Sequence, residues 1–155
     1  MKAPSDSTLN KLWRRAVLHK WQRDPISGCA DWERLQCHHF IRRKHYVTRW
    51  DWRNGIPLTA KSHAFAHTGA GGRMIAAILE SVGFLDDLFV LEFIMKKDYL
   101  QTRGMSDAEF RQAMKRELTR ALDEPPITLT KAIMIESKTV DRIACGAHRG
   151  TFTAF

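Results

Sequence analysis

Residues 37–67 constrain the fold more than any other part of the chain. They read CHHFIRRKHYVTRWDWRNGIPLTAKSHAFAH and hold five of the seven histidines, together with the densest arginine cluster. The adjacent pair His38 and His39 lies in a short strand candidate, residues 35–40, and residues 55–58 form a second one. A basic loop, residues 42–53, lies between them. Thr59 is placed to cap a helix over about residues 60–68. The order is strand, long loop, strand, helix. On a strand neighbouring side chains point to opposite faces, so His38 and His39 cannot share a role unless the strand bends. His63 and His67 stand four apart, a spacing that puts both on one helix face where they can share a metal ion.

That histidine pattern suits phosphodiester hydrolysis. The reaction needs a general base for water, neutralisation of charge on the phosphorus-centred transition state, and help for the leaving oxygen. A divalent metal can supply the last two and a histidine the first. A free histidine, with a pKa of about 6.5, is neutral enough near pH 7 to ligate or to accept a proton. An all-histidine site is expected to fail below about pH 6, because protonated ligands release the metal.

Charge points to a polyanionic partner. Residues 1–70 carry 13 Lys and Arg against 5 Asp and Glu, while residues 71–155 carry 12 of each, so the net +8 resides in the first part. All five tryptophans lie there too. Arg42, Arg43, Lys44 and Arg49 in the loop, with Arg14 and Arg15 on a preceding helix, are the candidate DNA-binding residues.

The remainder reads as mostly helical. Asp6 or Ser7 can cap a helix with Leu9, Leu12, Trp13, Ala16, Val17 and Trp21 on one face, ended by Pro25. The TGAGG segment at 68–72 is expected to break the helix after the second strand. Met74, Ile75, Ile78, Leu79 and Val82 form an apolar stripe closed by Gly83. Residues 84–100 are apolar nearly all round, which predicts a buried helix. Ser106 and Glu109 form a capping box ahead of Phe110, Met114, Leu118 and Leu122. Residues 127–155 fit either strand or helix periodicity and could form a flap, an oligomerisation arm or the end of the core. No apolar run reaches membrane-span length and the N-terminus has no signal-peptide core, so a cytoplasmic protein without a membrane partner is expected. Cys29, Cys37 and Cys145 form no CxxC pair and read as reduced thiols.

The pattern of HH, Asn at +15, His at a further +9 and His at +4 resembles the HNH (ββα-metal) endonucleases, in the spacing of the colicin-type DNases. The wider segment LQCHHFIRRKHYVTRWDWRNGIPL resembles phage NinG (Rap) recombination endonucleases, matched by His39-Phe40-Ile41-Arg42-Arg43, by Thr48-Arg49-Trp50-Asp51 and by Asn54. The likeness spans about residues 8–122. It implies an α+β fold, mostly helical, with a ββα-metal unit preceded by one helix and followed by about three. The implied division is a basic helix at 1–25, the nuclease unit at 26–70, helices at 71–124 and an extension at 125–155. It implies that His38, His63 and His67 are metal ligands, that His39 is the general base, and that Asn54 pins the loop so that His39 stays oriented. One Mg²⁺ or Mn²⁺ would be the cofactor, with Zn²⁺ or Ni²⁺ able to occupy the site. DNA would be the substrate, cleaved in phage recombination inside the bacterial host cell. Symmetric cutting of a four-way (Holliday) junction would require a homodimer. The alternative is a catalytically inactive DNA-binding or assembly protein that keeps an HNH scaffold. Relatives often carry CxxC pairs for a structural zinc. Here those positions correspond to Ser27, Gly28 and Cys29 on one side and Thr59 and Ser62 on the other, and packing of Trp32, Trp50 and Trp52 is expected to replace the zinc.

Overall fold

The computed structural model describes residues 2–84 and 104–128, with residues 86, 87, 89, 90 and 93 between them. Helix α1, Asp6–Trp21, is capped by Ser5, whose side chain accepts from the Thr8 N–H. The cap therefore lies one residue before Asp6 and two before Ser7. Asp6 instead occupies the first turn, where a carboxylate complements the helix dipole, and reaches Arg49 at 3.0 Å and Arg111 at 2.6 Å. The helix stops before Pro25, because Gln22 adopts a left-handed conformation (φ 61°) and returns its N–H to Leu18 O.

Strands β1, Gln36–His39, and β2, Gly55–Leu58, pair antiparallel, with His38 opposite Ile56 and His39 opposite Gly55. Between them the chain makes two 3₁₀ turns, Tyr46–Thr48 and Trp52–Asn54. Helix α2, Ala60–Ala66, follows at once, capped by Thr59 through the Ser62 N–H. Thr68 then caps helix α3, Gly69–Ser81. The TGAGG segment therefore supplies the first turn of α3, and the break falls earlier, at His67 and Thr68. Gly71 has a packing reason to be there. A Cβ at that position would lie 1.9 Å from Phe65 O, so only glycine lets α3 start this close to the end of α2. Helix α4, Asp107–Asp123, opens with the reciprocal capping box of Ser106 and Glu109. The described residues thus form an α+β fold of four helices and one two-stranded antiparallel sheet.

Helix α1 is the centre of the packing. Its buried residues Leu9, Trp13, Ala16, Val17 and Trp21 join Ile56 and Leu58 of β2, Ile75, Ile78 and Leu79 of α3, and Phe110, Leu118 and Ala121 of α4 in one core. Gly55 lets β2 approach α1, since a Cβ there would stand 2.4 Å from Val17 Cγ2 and 2.8 Å from the Trp13 ring. Two α1 indoles also hydrogen-bond across this contact, Trp13 Nε1–H to Asp51 O and Trp21 Nε1–H to Gly55 O, each at 2.9 Å.

In the apolar run at 84–100, Phe84 packs against Trp21 and Trp52 of the core, but three later positions do not follow the expectation of burial. Phe89, Val90 and Phe93 are 62%, 51% and 60% exposed. Its other expected features from Leu88 to Leu100 fall largely outside the described residues, as do Cys145 and residues 129–155. Among the described residues no helix is long and apolar enough to cross a membrane.

Candidate metal centre

Alternation along β1 sends the two adjacent histidines to different neighbours. The His38 ring stands against His63 of α2 and His67 just after it, with ring centroids 4.9 and 5.1 Å away. His63 and His67 are 4.9 Å apart, and all three rings meet edge to face. One nitrogen from each lies within 4.8 Å of the others. Nitrogens sharing an ion at about 2.0–2.1 Å in tetrahedral geometry stand about 3.4 Å apart, so the rings fit one metal after closing by an ångström or so. Three ligands leave a coordination position for substrate or water.

Two of these rings are held away from protonation. Burial, and then repulsion from His63, His67 and His39, push the His38 pKa down to about 4. Burial and the neighbouring His67 lower His63 as well. The acid limit expected near pH 6 for ordinary histidines therefore moves lower at His38.

His39 turns the other way. Its ring stacks on Trp13, with centroids 4.0 Å apart and planes 10° from parallel, and its Nε2 lies 3.0 Å from Arg49 O. A carbonyl oxygen only accepts, so Nε2 carries the hydrogen, and in the neutral ring Nδ1 holds a lone pair with no hydrogen-bond partner among the described residues. Burial lowers the His39 pKa. The bond to Arg49 O opposes that shift, and the charges of Arg43 and Arg49 add to it. The ring is near enough to His38 for charge on one to disfavour charge on the other.

Asn54 holds the loop that presents Arg49 O. It is fully buried; its Oδ1 accepts from Ile41 N–H at 2.6 Å, and its Nδ2 donates to Ile41 O at 3.0 Å and Thr48 O at 3.1 Å. Its own carbonyl accepts from the Phe40 N–H. One side chain thus pins the residues that follow His39 to the residue before Arg49.

The basic residues divide by environment. Arg15, Arg42, Arg43 and Lys44 are exposed, with side chains making no hydrogen bond or ion pair among the described residues. Arg14 is committed to the fold, donating to Trp32 O and Leu35 O and so holding the approach to β1. Arg49 is committed too: it bonds Arg43 O and Asp6 and lies over the Tyr46 and Trp50 rings, which Arg111 also covers. Tyr46 in turn hydrogen-bonds Asp107, tying the loop to α4.

Two residues at this centre escaped the reading of the sequence. Trp13 registered as a core residue of α1, and nothing local announces that it faces His39. Asp24 is fully buried and gathers Ser27 and Thr59 around it, with Ser62 beside Thr59. Its sequence signal is Asp-Pro-x-Ser, an acidic side chain placed to accept N–H groups two and three residues on. The expectation that Trp32, Trp50 and Trp52 brace the zinc-knuckle positions fails for Trp32, which is 41% exposed. Ser27 and Thr59 are bridged through Asp24 instead, and Ser62 bonds Thr59. Cys37 is half-buried, its thiol pushed up to about 11 by burial, so it is not a thiolate at neutral pH.

No protein-family model, curated protein or solved structure matches the chain.

Proposed function

We propose that the chain is a metal-dependent HNH endonuclease that hydrolyses DNA phosphodiester bonds, with β1, β2 and α2 as its ββα-metal unit. The observation that carries this reading is the pairing of an open three-histidine cluster with an adjacent histidine whose Nδ1 is left bare by a backbone hydrogen bond. His38, His63 and His67 hold one divalent ion, Mg²⁺ or Mn²⁺, which when bound supplies Lewis acidity to the scissile phosphate and its leaving oxygen. His39 Nδ1 takes the proton from the attacking water. Arg49 O keeps the ring in the required tautomer, Trp13 fixes its plane, and Asn54 holds the loop that carries Arg49 O. Arg42, Arg43 and Lys44 contact neighbouring phosphates. In-line attack leaves 5′-phosphate and 3′-hydroxyl ends.

The likeness to phage recombination endonucleases makes branched DNA the substrate class to try first. The test is nicking of supercoiled plasmid with Mn²⁺ and with EDTA, by the wild type and by His39→Ala. Manganese-dependent nicking that the substitution reduces by about 10²–10⁴ supports the assignment. Equal rates in the two proteins, or nicking that persists in EDTA, overturn it. Labelled linear, nicked, flap and four-way substrates cut in parallel then identify the preferred structure.

A further inference from the structure

We propose that Asp24 is a positioning residue of the metal centre, fixing the start of α2 and with it His63 in that helix and His67 just after it. The proposal rests on reading His38, His63 and His67 as a metal site.

Asp24 has no exposed surface, and its carboxylate accepts five hydrogen bonds. Oδ1 accepts from Ile26 N–H at 2.8 Å and Ser27 N–H at 3.1 Å. Oδ2 accepts from Ser27 Oγ–H at 2.7 Å, Thr59 N–H at 2.9 Å and Thr59 Oγ1–H at 3.0 Å. The backbone of Asp24 closes the same turn, donating to Cys29 O and accepting from Gly28 N–H, each at 2.8 Å. Burial of a carboxylate is costly unless donors satisfy it, so this convergence fixes the turn and the residue across from it together.

The residue across from it is the cap of α2. Thr59 Oγ1 receives the Ser62 N–H at 3.3 Å, and Thr59 O accepts the His63 N–H at 2.8 Å, the bond that opens the helix. Helix α2 is only seven residues long. A helix that short has almost no stability of its own, so its two ends determine where His63 and His67 stand. The far end is held where Gly71 packs under Phe65 O. The near end is held by Asp24, which hangs α2 from the segment that follows α1.

Asp24→Asn is the informative variant. Both carboxylate oxygens receive backbone N–H groups, Ile26 and Ser27 at one and Thr59 at the other, and these cannot reverse as hydroxyls can. Whichever way the amide turns, its NH₂ faces a backbone donor. Thr59→Ser keeps both donors and the cap and serves as the conservative control, while Thr59→Val keeps the N–H but loses the hydroxyl.

The experiment titrates the full chain with Co²⁺ at neutral pH and low temperature, reading the visible d–d band, with far-UV circular dichroism to establish that each protein is folded. Folded Asp24→Asn is expected to bind Co²⁺ about 10- to 100-fold more weakly than wild type, with an altered band, as losses of outer-shell support do. Thr59→Ser is expected to match the wild type. Should Asp24→Asn not fold, Thr59→Val supplies the same readout in weaker form. Wild-type affinity and spectrum in folded Asp24→Asn, or in Thr59→Val where that is the variant read, overturn the positioning role. Failure of the wild type to bind Co²⁺ overturns the metal centre itself, a separate outcome.

Discussion

The His39 imidazole lies flat on the Trp13 indole, centroids 4.0 Å apart and planes within 10°. The same indole donates to Asp51 O, so one side chain of α1 touches both the proposed base and the loop around it. Trp13→Phe keeps an aromatic face and loses the donor. It should destabilise by about 1 kcal/mol for the missing bond. Trp13→Ala also opens a cavity and should cost about 3–5 kcal/mol. Urea unfolding measures both, and equal costs would show that the Asp51 bond matters more than the stack.

The lowered pKa values of His38 and His63 set a pH dependence for the metal-free protein. In the unfolded chain each takes a proton near pH 6.5; in the folded chain His38 resists until about pH 4, and His63 is shifted in the same direction. Between those values the unfolded state binds more protons, so stability is fully present above about pH 6.5 and falls as the pH drops toward 4. Urea midpoints in EDTA at pH 7.0, 5.5 and 4.5 should decline in that order. His38→Gln should flatten the decline, and an unchanged slope in that variant would remove His38 as its source.

Asn54→Ala deletes all three loop-pinning bonds from a fully buried site and leaves backbone groups of Ile41 and Thr48 without their partner. Unsatisfied buried groups cost about 1–3 kcal/mol each, so a loss of at least about 2 kcal/mol is expected. The three-histidine cluster does not depend on those bonds. Co²⁺ affinity should therefore survive while plasmid nicking falls, and a parallel loss of both would mean that Asn54 supports the whole hairpin and not the His39 side alone.

The arginines separate by what they already touch. Replacing Arg42, Arg43 and Lys44 with Gln should leave stability within about 0.5 kcal/mol, as for free surface side chains. It should reduce the slope of log affinity for duplex DNA against log salt by about 0.9 for each phosphate contact removed. Arg49→Gln should lower the melting temperature instead, since it breaks bonds to Asp6 and Arg43 O. A salt slope unchanged in the triple variant would place the DNA elsewhere.

Features written in local chemistry were legible in the sequence. The bounds of β2, the Thr59 cap, the Ser106–Glu109 capping box and the apolar face of α1 each depend on residues within a turn or two of one another. The i,i+4 spacing placed His63 and His67 beside each other, and strand alternation separated His38 from His39. What failed was competition between neighbours with similar propensities. Ser5 outcompeted Asp6 and Ser7 as the cap because Asp6 is engaged by Arg49 and Arg111, residues far along the chain. Gly69–Gly72 entered a helix that their composition disfavours because Thr68 caps it and a close approach to Phe65 demands Gly71. The roles of Trp13 and Asp24 depend on partners 26 to 38 residues away, at His39, Asp51 and Thr59, and no local pattern encodes such distances.

The two indole bonds from α1 to the segment 51–55 bear on how little of this chain can stand alone. A two-stranded hairpin is marginal in water, and here its apolar side is roofed by α1, which also packs on α4. His19 and Lys20 near the end of α1 reach Glu124 just past the end of α4, 105 and 104 residues away in sequence. An excised peptide of residues 36–67 would keep His38, His39, His63 and His67 and lose the surface that shapes them. A unit that folds on its own therefore has to include both α1 and α4. Its nucleus must close long loops before β1 and β2 gain their cover, so folding should be slow for a chain of this helical content.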